Sequence, residues 1–351
     1  MNVVFRVDSS SQIGSGHLMR CLTLAHRLRK ERKADVLFVM RELDGNLIDI
    51  VEEKGFNIIV LSKAEEDTSL QGYEEWLTVT QEQDAKETAN ILSKIRVDLL
   101  VIDSYAIDII WESTIRPHVK KIMVIDDLAN REHDCDILLD QNFYKNKNER
   151  YVGLVPKSCK LYLGPQYAIL RDEFYEARKC LKKYDGKIKN ILVFFGGVDL
   201  TNETQKTLHA LVKLNKLDVT INVIVGRNNP HKQSIKDFCD KYQYMNYYCQ
   251  VTNISKFMNE ADLAIGAGGT TTWERCFLGL PSIVIAVAEN QVDIAIDCNK
   301  VGYIKYLGLY SEVTVCDIIE ALEKDTFDFI KMHDKIKGDF SESRNDIFEI
   351  C

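Results

Sequence analysis

Residues 263–291 read LAIGAGGTTTWERCFLGLPSIVIAVAENQ. A short apolar run, Leu263 to Ile265, ends in Gly266-Ala267-Gly268-Gly269. Thr270 to Leu278 then has helical spacing, and Ser282 to Val287 is a second apolar, β-branched run. Strand, glycine turn, helix, strand is the repeating unit of a parallel sheet. The first amides of a helix have no partner inside it, so they gather at the turn with the threonine hydroxyls and attract anions. Glycines at that point let a phosphate come close to the backbone. Gly268, Gly269, Thr270 and Thr271 therefore read as a pyrophosphate site. Glu274, one turn further, is placed to accept hydrogen bonds from ribose hydroxyls, and Trp273 reads as packing. The competing reading is a glycine-rich strand-to-helix turn with no ligand.

The same alternation extends in both directions. Toward the amino terminus, strands are expected at 3–7, 35–40, 56–61, 98–102, 121–125 and 137–139, with helices at 18–30, 47–54 and 82–95. The pattern restarts with strands at 190–195 and 219–225 and helices at 203–214 and 235–242. A charged segment, 166–189, joins the halves. The fold class is α/β: two doubly wound domains, 1–170 and 171–351, with a cleft expected between the carboxyl ends of two parallel sheets. Ligands bind beyond such strand ends. The tail after Lys331 is polar and compatible with a helix.

Near the amino terminus the chain reads SSSQIGSGHLMRCLTLAHRL, Ser9 to Leu28. Gly14 and Gly16 frame a serine, and His17 follows as a helix begins. Met19 stands where a third glycine would complete GxGxxG, so the dinucleotide fingerprint is weak. A histidine at a helix amino terminus feels the positive end of the dipole, which disfavours its protonation and suits it to accept a proton. The bland alternative is local capping or packing. Arg6 and Asp8 border the loop and are placed to brace it as an ion pair.

Composition narrows the class. The chain has 351 residues, 46% apolar and 28% charged, with a net charge of −8. No basic surplus exists for nucleic acid. No apolar run reaches the roughly 20 residues of a membrane span, and no signal-peptide pattern opens the chain. Ten scattered cysteines without a CxxC pair read as reduced thiols of a cytoplasmic protein. Asp134-Cys135-Asp136 makes a DxD, which leads directly into an apolar run and reads as a strand edge rather than a metal site. No cluster has metal-ligand spacing, and GxxxxGK[ST] is absent.

Together, the stretch DSSSQIGSGHLMRCLTLA from Asp8, VIDDLANR (Val124 to Arg131), LLDQN (Leu138 to Asn142), YLGPQYAILRDEF (Tyr162 to Phe174) and GAGGTTTWERCFLGLPSIVIAVAENQ (Gly266 to Gln291) resemble the pseudaminic acid biosynthesis UDP-sugar hydrolases. The carboxyl-terminal motif is also similar to that of the peptidoglycan N-acetylglucosaminyl transferase, a GT-B enzyme. The resemblance implies a GT-B-like fold, with two Rossmann-like domains facing across a cleft. It implies hydrolysis of a UDP-linked 2,4-diacetamido-2,4,6-trideoxy-altrose by water at the anomeric carbon, with inversion and C–O cleavage. No metal or other cofactor is implied. His17 matches the family's catalytic histidine, and Glu274 the ribose-binding glutamate of the related transferases. Glu289, Asn290 and Gln291 fall where those enzymes contact the donor sugar. Tyr105, just past the strand end at Asp103, is placed to touch the sugar, and Gly196 and Gly197 to lie near the diphosphate. The implied partner is the UDP-sugar substrate, with no nucleic acid and no stable membrane insertion. Rival readings are a hydrolase or epimerase on a related nucleotide sugar, a true glycosyltransferase, and a non-catalytic nucleotide-sugar binder. In GT-B folds the last helix often crosses back to the first domain, so the tail is expected to do so here.

Overall fold

A computed structural model of the chain describes residues 1–64, 69–214, 218–323 and 328–340. The expected crossing of the tail and the tenth cysteine, Cys351, lie outside the described residues. The chain divides into two compact units. The first holds Met1–Asn142 and Asn146–Ile169, and the second holds Phe143–Lys145 and the described residues from Leu170 to Phe340.

The first unit is built in the order β1 (Asn2–Val7), α1 (Gly16–Arg32), β2 (Asp35–Arg41), α2 (Ile48–Glu53), β3 (Asn57–Leu61), α3 (Gln81–Leu92), β4 (Leu99–Asp103), α4 (Ile109–Ile115), β5 (Ile122–Ile125), β6 (Ile137–Asp140) and β7 (Lys160–Leu163). Its sheet has the order β3-β2-β1-β4-β5-β6-β7, and every pairing is parallel. In β1, Val3, Phe5 and Val7 join one buried cluster and Val4 joins another on the opposite face. A strand apolar on both faces belongs in a sheet covered twice. Phe5 pairs with Phe38 in register, and their rings stack at 5.0 Å. Burying each such ring contributes about 1.5–3 kcal/mol.

The second unit contains α5 (Asp172–Lys179), β8 (Asn190–Phe194), α6 (Glu203–Leu214), β9 (Thr220–Val225), α7 (Lys232–Cys239), β10 (Met245–Cys249), α8 (Ile254–Glu260), β11 (Leu263–Ala267), α9 (Thr271–Phe277), β12 (Ser282–Ala286), α10 (Val292–Lys300), β13 (Lys305–Leu309), α11 (Val315–Glu323) and α12 (Phe329–Asp339). Its parallel sheet runs β10-β9-β8-β11-β12-β13. Both units are thus Rossmann-like, and both reverse strand order at one point: between β1 and β4, and between β8 and β11. Ligands of such sheets sit outside the carboxyl ends at that reversal.

The strands that the apolar pattern did not reveal lie at sheet edges. β7, β10 and β13 bury only part of their side chains, so none reads as a continuous apolar run. Of the helices, α1 starts two residues before its apolar stripe, which places His17 inside the first turn. Trp273 is buried and stacks on Phe340 just past α12, as packing demands.

Candidate active site

The loop after β1 is shaped by its own polar groups. Ser10 Oγ accepts the amides of Gln12 and Ile13, and the Gly14 amide donates to the Ser10 carbonyl at 2.9 Å. Gly14 has a φ of +78°, a conformation costly for any side chain. Gly16 has ordinary backbone, and a Cβ there would meet nothing within 4 Å. The fold itself makes no use of that glycine.

His17 turns inward to the end of β4. Its Nδ1 lies 2.6 Å from Asp103 Oδ1. Arg20, one turn along α1, donates Nε to Asp103 Oδ2 at 2.5 Å and Nη2 to Oδ1 at 2.7 Å. Burial favours a neutral Asp103, but Arg20 and His17 outweigh it and hold the carboxyl well below the usual range. Asp103 is therefore an acceptor, so the proton of the neutral imidazole sits on Nδ1 and Nε2 keeps its lone pair. Arg20 Nη2 is also 3.2 Å from Nδ1. Both are donors, and the shorter contacts to the carboxylate decide the arrangement. Nε2 makes no hydrogen bond to the described residues.

Arg20 also reaches Asp127, just past β5, through Nη1 at 2.8 Å. Burial works against its charge, yet Asp103 and Asp127 raise its pKa well above the ordinary value. Asp127 in turn accepts from Tyr105 Oη at 2.8 Å and Asn142 Nδ2 at 2.7 Å. Burial and Asp127 push the Tyr105 phenol up, so it stays neutral. The Tyr105 ring stands edge-on to the His17 ring at 4.6 Å. Arg6 pairs with Asp8 at 2.7 Å within a buried network in which Asp84 also takes Arg6, Arg41 and Trp111.

In the second unit, the turn after β11 is closed by three hydrogen bonds. The Gly268 amide donates to Gln291 Oε1, Thr272 to the Gly269 carbonyl and Trp273 to the Thr270 carbonyl. The amides of Gly269, Thr270 and Thr271 take no part in these bonds. Gln291 Oε1 also accepts the Val287 amide at 3.1 Å, so Gln291 braces the turn. Asn290 is half-buried and Glu289 exposed on the same short turn. Gly196 has a φ of +92° after β8, and a Cβ on Gly226 would strike the Gly197 carbonyl. Glu274 is buried, and burial raises its pKa against the pull of Arg171. Its Oε1 takes Arg171 at 3.1 Å, while Oε2 is buried without a partner among the described residues.

Beneath the turn lies a residue that the sequence did not single out. Arg275 is fully buried. Its Nη2 donates to the Ala267 carbonyl at 2.8 Å and to Thr272 Oγ1 at 3.1 Å. Among the described residues it has no ion pair, and burial lowers its pKa to about 10. A buried cation with no carboxylate in direct contact favours an anion beside it. Elsewhere, Asp134 and Asp136 of the DxD both bind Arg116, which is a strand-edge role. Among the described residues no cluster of His, Cys, Asp or Glu is set to hold a metal, and no helix is long and apolar enough to cross a membrane.

Two Rossmann-like units with these turns define the class: the chain has a GT-B-type fold. Acinetobacter baumannii MurG superposes with a TM-score of 0.66 at 13% identity, covering 99% of this chain and 97% of that one. Residues 190–337 match the glycosyltransferase family 28 C-terminal domain. The UDP-2,4-diacetamido-2,4,6-trideoxy-β-L-altropyranose hydrolase of Campylobacter jejuni is 31% identical over 306 residues, 86% of this chain and 98% of its own length. The chain therefore belongs to the pseudaminic acid biosynthesis UDP-sugar hydrolase family. The uncharacterized protein MJ1062 of Methanocaldococcus jannaschii is 28% identical over 83% of this chain, which spans 57% of that protein's length.

Proposed function

We propose that this protein hydrolyses UDP-2,4-diacetamido-2,4,6-trideoxy-β-L-altropyranose to UDP and the free sugar, in the cytoplasm, on the route to pseudaminic acid. The observation that carries the reading is the His17–Asp103 pair, which leaves Nε2 as a base. Water bonds to the anomeric carbon from the face opposite UDP and gives a proton to Nε2. The C1–O bond breaks, and its electrons leave with the diphosphate. Asp103 supports the imidazolium until the proton passes to solvent. UDP needs little help from a general acid, but its growing charge needs fixed dipoles. The amides of Gly269, Thr270 and Thr271, backed by Arg275, fit that task, with Gly196 and Gly197 bordering the diphosphate and Glu274 taking the ribose. Tyr105 is assigned to the sugar, and Glu289 and Asn290 to its rim. The match to a glycosyltransferase domain favours one second reading, in which an acceptor hydroxyl takes the place of water.

The direct test is turnover of the UDP-sugar by His17→Ala and His17→Asn, with UDP affinity measured in parallel. Loss of about 100-fold or more in kcat with UDP affinity kept supports the reading. An alanine variant within a factor of ten of the parent contradicts it. Turnover that appears only with an added acceptor selects the transferase.

A further inference from the structure

His17 is walled by aromatic rings. Tyr105 stands at 4.6 Å and Trp76 at 5.8 Å, both edge-on. Trp76 and Tyr105 stack at 5.3 Å with their planes 26° apart. Tyr73 closes the group, 4.9 Å from Trp76 and 5.1 Å from Tyr105. Tyr73 and Trp76 lie one turn apart on a 3-10 helix, Gly72–Leu77, which holds both rings toward Tyr105. Tyr73 is exposed, Trp76 half-buried, and Trp111 and Trp273 are fully buried. Tyr73 and the uncovered part of Trp76 thus present aromatic surface beside His17, the make-up of a ligand-binding wall.

We propose that Tyr73 and Trp76 form a sugar-recognition surface selective for N-acetylated deoxy sugars. The inference rests on His17 as the base of the proposed hydrolysis. A water held by Nε2 must lie within hydrogen-bond reach of it and next to the anomeric carbon. The pyranose ring is thereby brought over the rings that surround His17. A fully hydroxylated pyranose offers such rings the C–H groups of its faces and no methyl group. A 6-deoxy sugar with two acetamido groups offers three methyl groups and the C–H face between them. Burying methyl groups against aromatic faces stabilises the complex without needing a charged partner. Tyr105 donates its proton to Asp127, which fixes its ring beside His17. The rings read the methyls.

The experiment is steady-state kinetics of the full chain on the UDP-diacetamido sugar, with Trp76→Ala, Trp76→Phe and Tyr73→Ala. Trp76→Ala is expected to raise KM about 10-fold or more, which corresponds to roughly 1.4 kcal/mol. kcat should change less, and inhibition by UDP should be unchanged. Trp76→Phe should restore most of the loss, which a folding defect would not allow. An alanine variant with parental KM overturns the proposal. A second readout separates it from the reaction: tryptophan fluorescence titrated with the free 2,4-diacetamido-2,4,6-trideoxy sugar and with glucose. A saturable change with the first alone supports the surface even if the wild-type chain does not hydrolyse the UDP-sugar. Equal response to both sugars, or no response, contradicts it.

Discussion

At the scale of single residues, the proposed hydrolysis depends on which nitrogen of His17 holds the proton. Asp103 decides this, so Asp103→Asn tests it without removing the base. An amide at that position can present its NH2 to Nδ1 and move the imidazole proton to Nε2. kcat is then expected to fall about 100-fold or more, with UDP affinity unchanged by calorimetry. Arg275 gives a second test. Arg275→Met removes a buried cation behind the Gly268–Thr271 turn while keeping most of its volume. UDP affinity should fall about 10-fold, and uridine affinity should hold. Equal loss for both ligands would mean the turn had simply collapsed. The histidine was legible because a glycine loop and a helix start surround it. Asp103, Arg20 and Asp127 were not, because their meeting is a tertiary event across residues 20, 103 and 127. The sequence did carry a faint signal: His17 and Arg20 share one face of α1 at i, i+3, and both acids close or follow strands.

At the scale of elements, the glycines separate into two kinds. Gly266 lies in β11 opposite Phe194 of β8, and a Cβ there would stand 2.3 Å from the Phe194 carbonyl and 3.0 Å from Arg275. Gly266→Ala should lower the melting temperature by several degrees, since backbone must move to admit it. Gly16→Ala meets open space at ordinary φ and should leave the melting temperature within a degree or two. Any loss it causes belongs to ligand approach. The elements themselves were mostly legible, because central strands are apolar along their whole length. Edge strands β7, β10 and β13 were missed for the opposite reason: their side chains are only partly buried, and the pattern fades into that of a loop.

At the scale of the molecule, buried charge sets how stability follows pH. Burial alone would raise the Asp84 pKa, but Arg6 and Arg41 lower it to about 2. A depressed carboxyl stabilises the fold above its unfolded value, about pH 4. That contribution fades as pH falls through about 2. Asp140 behaves the other way. Burial and the neighbouring Asp127 push it up to about 7, with Tyr151 donating to it at 3.1 Å. Its contribution is complete below about pH 4 and is lost as pH rises through about 7. Asp140→Asn, which cannot ionise, should flatten the decline in melting temperature between about pH 4 and pH 7. A slope unchanged from the parent would show that Asp140 titrates as it does in the unfolded chain.

The central claim is that water, activated by His17, attacks carbon rather than phosphorus. We would follow the reaction of the UDP-2,4-diacetamido sugar in oxygen-18 water by phosphorus NMR, with mass spectrometry of the sugar. The account predicts UDP without label and one labelled oxygen at the anomeric carbon of the product. Label in the UDP would place the attack at phosphorus and contradict the role given to His17.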